Sequence, residues 1–147
     1  RIETGLEWTR DRAAASRLDA VEARIDDAAE RVDDDPEAVS EELSTLMERL
    51  DDEEYPDDRG DRVDELRREA ARVRLVADTD RLEALIENAE SDMAAGDTDT
   101  AADQYESALS AAEKGIEAAD DRGFDEERER LERLEKLCRV RLDDLRE

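Results

Sequence analysis

Histidine occurs nowhere in the 147 residues, and that absence excludes more chemistry than any motif present supports. Without an imidazole there is no Ser-His-Asp or Cys-His catalysis, no histidine-ligated zinc and no Glu-x-x-His di-iron site of the kind bundle oxidases carry. Cys138 is the sole cysteine. It cannot close an intramolecular disulfide or build a cysteine zinc or iron–sulfur site, and it agrees with a reducing, cytoplasmic location. Neither glycine-rich nucleotide fingerprint occurs, so no cofactor is implied. No uninterrupted run of about 20 apolar residues exists to span a membrane, and the opening does not resemble a secretion signal. Aromatics make up 3% of the chain against 48% charged residues, which argues for a core of thin helix–helix seams rather than a sandwich or barrel.

What the chain has in excess is acid. Asp and Glu number 48 against 23 Lys and Arg, a net charge of −25, and among the cations only Lys114 and Lys136 are lysine. Such self-repulsion opposes compaction in dilute buffer, whereas in molar salt the Debye length falls to about 3 Å and the repulsion is largely screened. The same field repels phosphate, and no basic patch free of nearby acids is visible in the sequence, so nucleic acid is not an expected partner. Scarce lysine, abundant Asp and small apolar side chains resemble cytoplasmic proteins of salt-accumulating haloarchaea. The resemblance implies a habitat and no activity.

Low hydrophobicity with high net charge is also the signature of disorder, and periodicity decides against it. Leu18, Val21, Ile25, Ala28 and Val32 recur at three-four spacing, as do Val39, Leu43, Leu46, Leu50 and Val63, Leu66, Ala70, Val73, each laying one narrow stripe along a helix. The expected fold is all-α, an antiparallel helical bundle of five or six helices with coiled-coil-like seams. Its length suits a single domain over 1–147. The start at Arg1, already within helical pattern and without an initiator Met, reads as a fragment of a longer chain.

Cap chemistry divides the chain. "VDDDPEAV" ends one helix near Val32 and starts another with Asp35 as side-chain acceptor and Pro36 at the first helical position. After an N-terminal hairpin over 1–50, "DDEEYPDDRGD" reads as an acidic loop over 51–60. The segment 61–147 then holds a long helix, a hairpin and a C-terminal helix. From Asp61 to Ala95 there is neither Gly nor Pro, but the stripe changes phase around "VADTDRL". One helix of roughly 50 Å accommodates that change, while a cap at Asp80 would split it; the single helix is the preferred reading. Gly96 closes it, Asp or Thr in "GDTDT" caps the next, Gly123 ends that one and Asp125 caps the last.

The stretch "AAGDTDTAADQYESALSAAEKG", residues 94–115, carries the most specific pattern. Gly96-Asp97 at the turn, small Ala101, then Tyr105 and Ala108-Leu109 resemble the tetratricopeptide repeat over about fourteen residues. Asn88 and Asp92 stand where that family has a leucine and an aromatic, no proline follows at Glu113, and one period on stand Arg130, Glu135 and Arg139. There is no second copy, although such repeats usually need about three to stand alone. A longer hairpin of this sort also resembles the helical MIT domains, which bind partner helices in a groove. The physical demand is shared: small residues let antiparallel helices approach, and Gly permits the sharp turn. Tyr105, Ala108, Leu109 and Ala112 are the expected seam, serving an intramolecular hairpin in the first instance and a partner groove in the second.

The final helix pairs Glu126 with Arg130, Glu129 with Arg133, Glu132 with Lys136 and Glu135 with Arg139, all in the favourable i to i+4 order that marks a solvated face. Leu131, Leu134, Cys138, Leu142 and Leu145 form the other side. Residues 125–147 hold nine acids and seven bases, so the preceding 124 carry −23 of the charge. This near-neutral helix is the best candidate contact surface, with Leu134, Cys138 and Leu142 as candidate contacts, after the simpler reading of a packed terminal helix. Trp8 reads as a cap on the bundle end or as packing against a missing segment. Asp97 and Asp99 offer oxygen to a calcium ion, but Ala101 and Ala102 stand where a third ligand and a loop glycine belong. Diffuse solvent cations are expected rather than a metal site. The expectation is a non-enzymatic protein-interaction or scaffolding domain adapted to high salt. The alternatives are a self-associating structural coiled coil and a carboxylate-based hydrolase with an unrecognised site.

Overall fold

The structure is a computed structural model. It describes the backbone of residues 2–53, 55 and 59–146, and the side chains of these from residue 12 onward. The fold is all-α: α1 (Ile2–Arg31), α2 (Pro36–Asp52), α3 (Gly60–Ala94), α4 (Thr98–Arg122) and α5 (Asp125–Arg146), with no strand among the described residues. The chain divides into two compact units, residues 1–74 and 75–147. That division falls inside α3, not in the acidic loop where the sequence changes character.

Local chemistry sets the helix ends. Asp35 accepts a hydrogen bond from the Ala38 amide at 3.2 Å with Pro36 in the first turn, so an otherwise orphaned N–H is satisfied and no proline N–H is missed. Gly96 and Gly123 adopt φ of +87° and +71°, the left-handed conformation that favours glycine after a helix. Two expected boundaries shift, and one cap lacks its side-chain bond. Asp51 and Asp52 belong to α2 rather than to the loop, because the helix continues until the Glu53 amide donates to the Arg49 carbonyl; residues 54 and 56–58 of that loop lie outside the described residues. Asp97 precedes α4, but its side chain makes no capping bond. Asp125 is the first residue inside α5, not its cap; its carboxylate there complements the helix dipole.

The long helix is continuous. Its buried residues form two three-four stripes, Val63, Leu66, Ala70, Val73, Ala77 and then Leu75, Thr79, Leu82, Ile86, Ala89, overlapping over residues 75–77. The first stripe belongs mostly to the first unit and the second to the other. A break at Asp80 does not occur. Thr79 satisfies its buried hydroxyl by donating to the Leu75 carbonyl at 2.7 Å, and the Asp80 carboxylate takes up Arg130 at 2.6 Å instead of capping a helix.

In the first unit, α1 contributes Ala14, Leu18, Val21, Ile25, Ala28 and Val32, and α2 contributes Val39, Leu43, Leu46 and Leu50, all buried. Ion pairs report the directions: Arg31 meets Glu42 at 2.5 Å and Arg17 meets Glu53 at 3.9 Å, so α1 and α2 run antiparallel. Arg62 on α3 bridges Asp19 and Glu22 of α1, while Arg67 reaches Asp51 at 2.8 Å and the Leu50 carbonyl at 3.2 Å on α2. Each fully buried Leu or Ile contributes about 1.5–3 kcal/mol and each exposed pair about 0–1 kcal/mol. Packing therefore holds the unit, and the pairs select its register.

Candidate functional site

The second unit contains every residue the sequence singles out as an interaction candidate. Tyr105, Ala108 and Ala112 of α4 and Cys138 of α5 have no exposed surface, and Leu142 is also buried, whereas Leu109 and Leu134 are half-buried. Five of the seven thus lie inside the unit's own core. Trp8, read as an end cap, has its side chain outside the described residues.

Small residues explain the geometry. Ala101, Tyr105, Ala108, Ala112 and Ala119 repeat at three-four spacing with Gly115 filling the one gap, and α4 approaches α5 closely along its length, whereas α1 and α2 do so over a much shorter stretch. At Gly115 the approach is tightest: a Cβ there would stand 2.9 Å from a δ-carbon of Leu131. The sequence places this small-residue seam in the turn-linked pair ending at Gly115, but the contacts of Gly115 with Leu131 and of Tyr105 with the Cys138 and Arg141 neighbourhood turn it toward α5. Gly115 itself lies outside the tetratricopeptide-like pattern of Gly96, Asp97, Ala101, Tyr105, Ala108 and Leu109.

Tyr105 is the one large side chain of this seam. Its hydroxyl lies beside Arg141, Glu90 and Cys138; burial raises its pKa, the Glu90 carboxylate adds to that, and Arg141 opposes it. Burial also pushes the Cys138 thiol up to about 11, with Glu135 contributing in the same direction. A thiol held so high is protonated and unreactive near neutral pH.

Around this core α5 acts as an electrostatic clamp. Arg130 reaches Asp80 at 2.6 Å and Glu83 at 2.9 Å, and Arg141 lies 3.8 Å from Glu90, all three acids on α3. Toward α4, Arg128 meets Asp120 and Arg139 meets Glu113, each at 3.1 Å. These pairings run parallel with α3 and antiparallel with α4. One expected intrahelical pair is present, Arg139 with Glu135 at 3.2 Å. Arg130 departs from expectation: it reaches across to α3 rather than back to Glu126, because two α3 carboxylates one turn apart offer it a fork of acceptors.

The accessible apolar surface is on the opposite flank of α5. Val140 is 47% exposed, and Leu137, one turn before it, is half-buried, as is Leu134 a turn earlier. Neither Leu137 nor Val140 falls on the three-four stripe of α5. Their signal in the sequence is that displacement: apolar residues on a helix face the core does not need. Among the described residues, no three Cys, Asp or Glu side chains converge as a metal site, and no helix is long and apolar enough to cross a membrane. Comparison with family models, curated proteins and solved structures returns no match.

Proposed function

We propose that this chain is a scaffolding or protein-interaction domain adapted to concentrated salt, and that it meets its partner through the outer flank of α5. One observation carries the reading. Val140 exposes 47% of its surface beside Leu137, in a segment, residues 125–147, of net charge −2 in a chain of −25. Apolar contact needs a surface that does not repel, and concentrated salt leaves that contact in place while muting the acids elsewhere. The buried candidates Tyr105, Ala108, Ala112, Cys138 and Leu142 then support the flank from beneath. The tetratricopeptide-like turn serves here to deliver α4 to its seam, and the high acid content with little lysine supports a salt-rich cytoplasm as the working environment.

The test places a photo-activated cross-linking residue at position 140, in molar KCl. Adducts with one discrete protein, lost when Leu137→Asp is added while helix content stays the same, support the reading. Adducts between copies of the chain assign the flank to self-association instead. No adduct of either kind at native ionic strength overturns the proposal.

A further inference from the structure

In the first unit, three arginines surround one shallow concavity of about 130 Å³ lined by Arg17, Ala20, Val21 and Arg24 of α1 and by Arg49 and Glu53 at the end of α2. In a chain with twice as many acids as bases, a cluster of cations needs a reason. Arg31, Arg24 and Arg17 succeed one another at seven-residue intervals along α1, and Glu42 and Arg49 do so along α2. The antiparallel register that sets Glu42 on Arg31 at 2.5 Å sets Arg49 opposite Arg24 two turns away. Where the neighbouring position forms an ion pair, this one juxtaposes two positive charges.

Among the described residues no acid relieves them. Among the described residues the side chains of Arg24 and Arg49 have no ion-pair or hydrogen-bond partner. The one acid lining the concavity is already engaged on its rim, by Tyr55 and Arg17. Glu53 accepts a hydrogen bond from the Tyr55 hydroxyl at 2.6 Å and stands 3.9 Å from Arg17. Arg17 in turn lies over the Tyr55 ring, 5.4 Å from its centre, a cation–π contact that fixes the guanidinium on the rim. Three guanidiniums and one carboxylate leave the concavity with a local excess of two positive charges.

We infer that this concavity is a binding site for a small, doubly charged oxyanion of the phosphate class. The inference is independent of the α5 flank. Arginine presents planar forks of N–H donors that match the oxygens of phosphate, and a dianion neutralises the local excess. Size limits the ligand: pockets for whole organic cofactors run to about 300–1,000 Å³, so this one takes a single group, either a free ion or the terminal phosphate of a larger molecule. The overall charge of −25 does not forbid it. In molar salt the Debye length is about 3 Å, so a bound ion responds to the guanidiniums it touches and not to distant carboxylates.

The experiment follows the arginine Nε–H resonances of the intact chain by NMR during titration with inorganic phosphate, at ionic strength held constant with KCl. A parallel titration uses glycerol phosphate. Saturable shifts confined to Arg17, Arg24 and Arg49 are expected, with each of Arg24→Gln and Arg49→Gln weakening binding about tenfold. Glu53→Gln should tighten it. Arg24→Lys, which keeps the charge and loses the fork, should weaken it and guards against a variant that fails to fold. Tighter binding of glycerol phosphate identifies a phosphate monoester as the source; equal or weaker binding identifies the free ion. Shifts that never saturate, that appear equally at Arg133 and Arg139, or that survive both glutamine variants overturn the site.

Discussion

Residues 1–74 and 75–147 carry almost the same excess of acid, 25 acids against 13 bases and 23 against 10, and each builds three helical segments, yet they resolve that excess in different ways. The first unit packs Leu, Ile and Val along α1 and α2 and leaves Arg24 and Arg49 facing one another. The second closes an Ala-rich seam around Tyr105 and delivers the cations of α5 to acids on both neighbours. Net charge therefore says little about how a helical unit is held. Seam width and the placement of arginine decide it, because exposed pairs add little except where packing already brings their partners together.

The largest expected effect separates the units outright. Tyr105→Ala removes the only large side chain from the Ala seam and should cost about 3–5 kcal/mol. Hydrogen exchange should show protection falling across 75–146 and persisting in α1 and α2, while Leu43→Ala should give the reverse pattern. Protection lost equally on both sides in either variant would erase the distinction.

Alkaline pH sharpens it next. The Cys138 thiol is raised from an ordinary value near 9 to about 11, so its contribution to stability is whole below about pH 9 and is lost as pH rises toward 11. Denaturant titrations should show a loss on the order of 2 kcal/mol across that window, diminished in Cys138→Ala. The folded chain should resist thiol reagents at neutral pH until unfolded, and rapid modification would place Cys138 outside the core.

A smaller contrast lies in the arginines. Arg130→Ala strands the partly buried Asp80, 19% exposed in its side chain, and should destabilise by about 1 kcal/mol once solvent screening is allowed for. Arg24→Ala, with no partner to strand, should leave stability unchanged or slightly higher. Equal losses would mean that the two units use arginine alike.

The smallest effect concerns two helical glycines. A methyl at Gly60 meets nothing within 4 Å, whereas at Gly115 it meets Leu131 at 2.9 Å. Gly60→Ala should therefore gain about 0.5 kcal/mol from helix propensity, and Gly115→Ala should forfeit its similar gain to the displaced leucine. Thermal melts that rise equally for both would show that α4 and α5 are not in close contact.

Much of the fold is legible in the chain because its signals are local. Asp35-Pro36, Gly96 and Gly123 announce helix ends through their own backbone chemistry, and the phase change near "VADTDRL" is visible as two stripes. The sites are less legible. Arg24 and Arg49 are 25 positions apart among acids, and nothing local says that they share a concavity. Leu137 and Val140 were hidden by the stripe beside them, and Gly115 looks like a helix-weakening residue until Leu131 appears against it.

The sequence by itself determined that the chain is helical, where most helices stop, and which chemistry the lack of histidine removes, because capping, periodicity and residue type act over a few neighbours. Tertiary structure alone decided that α3 serves two units, that α4 turns its small residues toward α5, and which arginines find an acid. Those outcomes depend on the register between helices, and register is set by how whole faces pack.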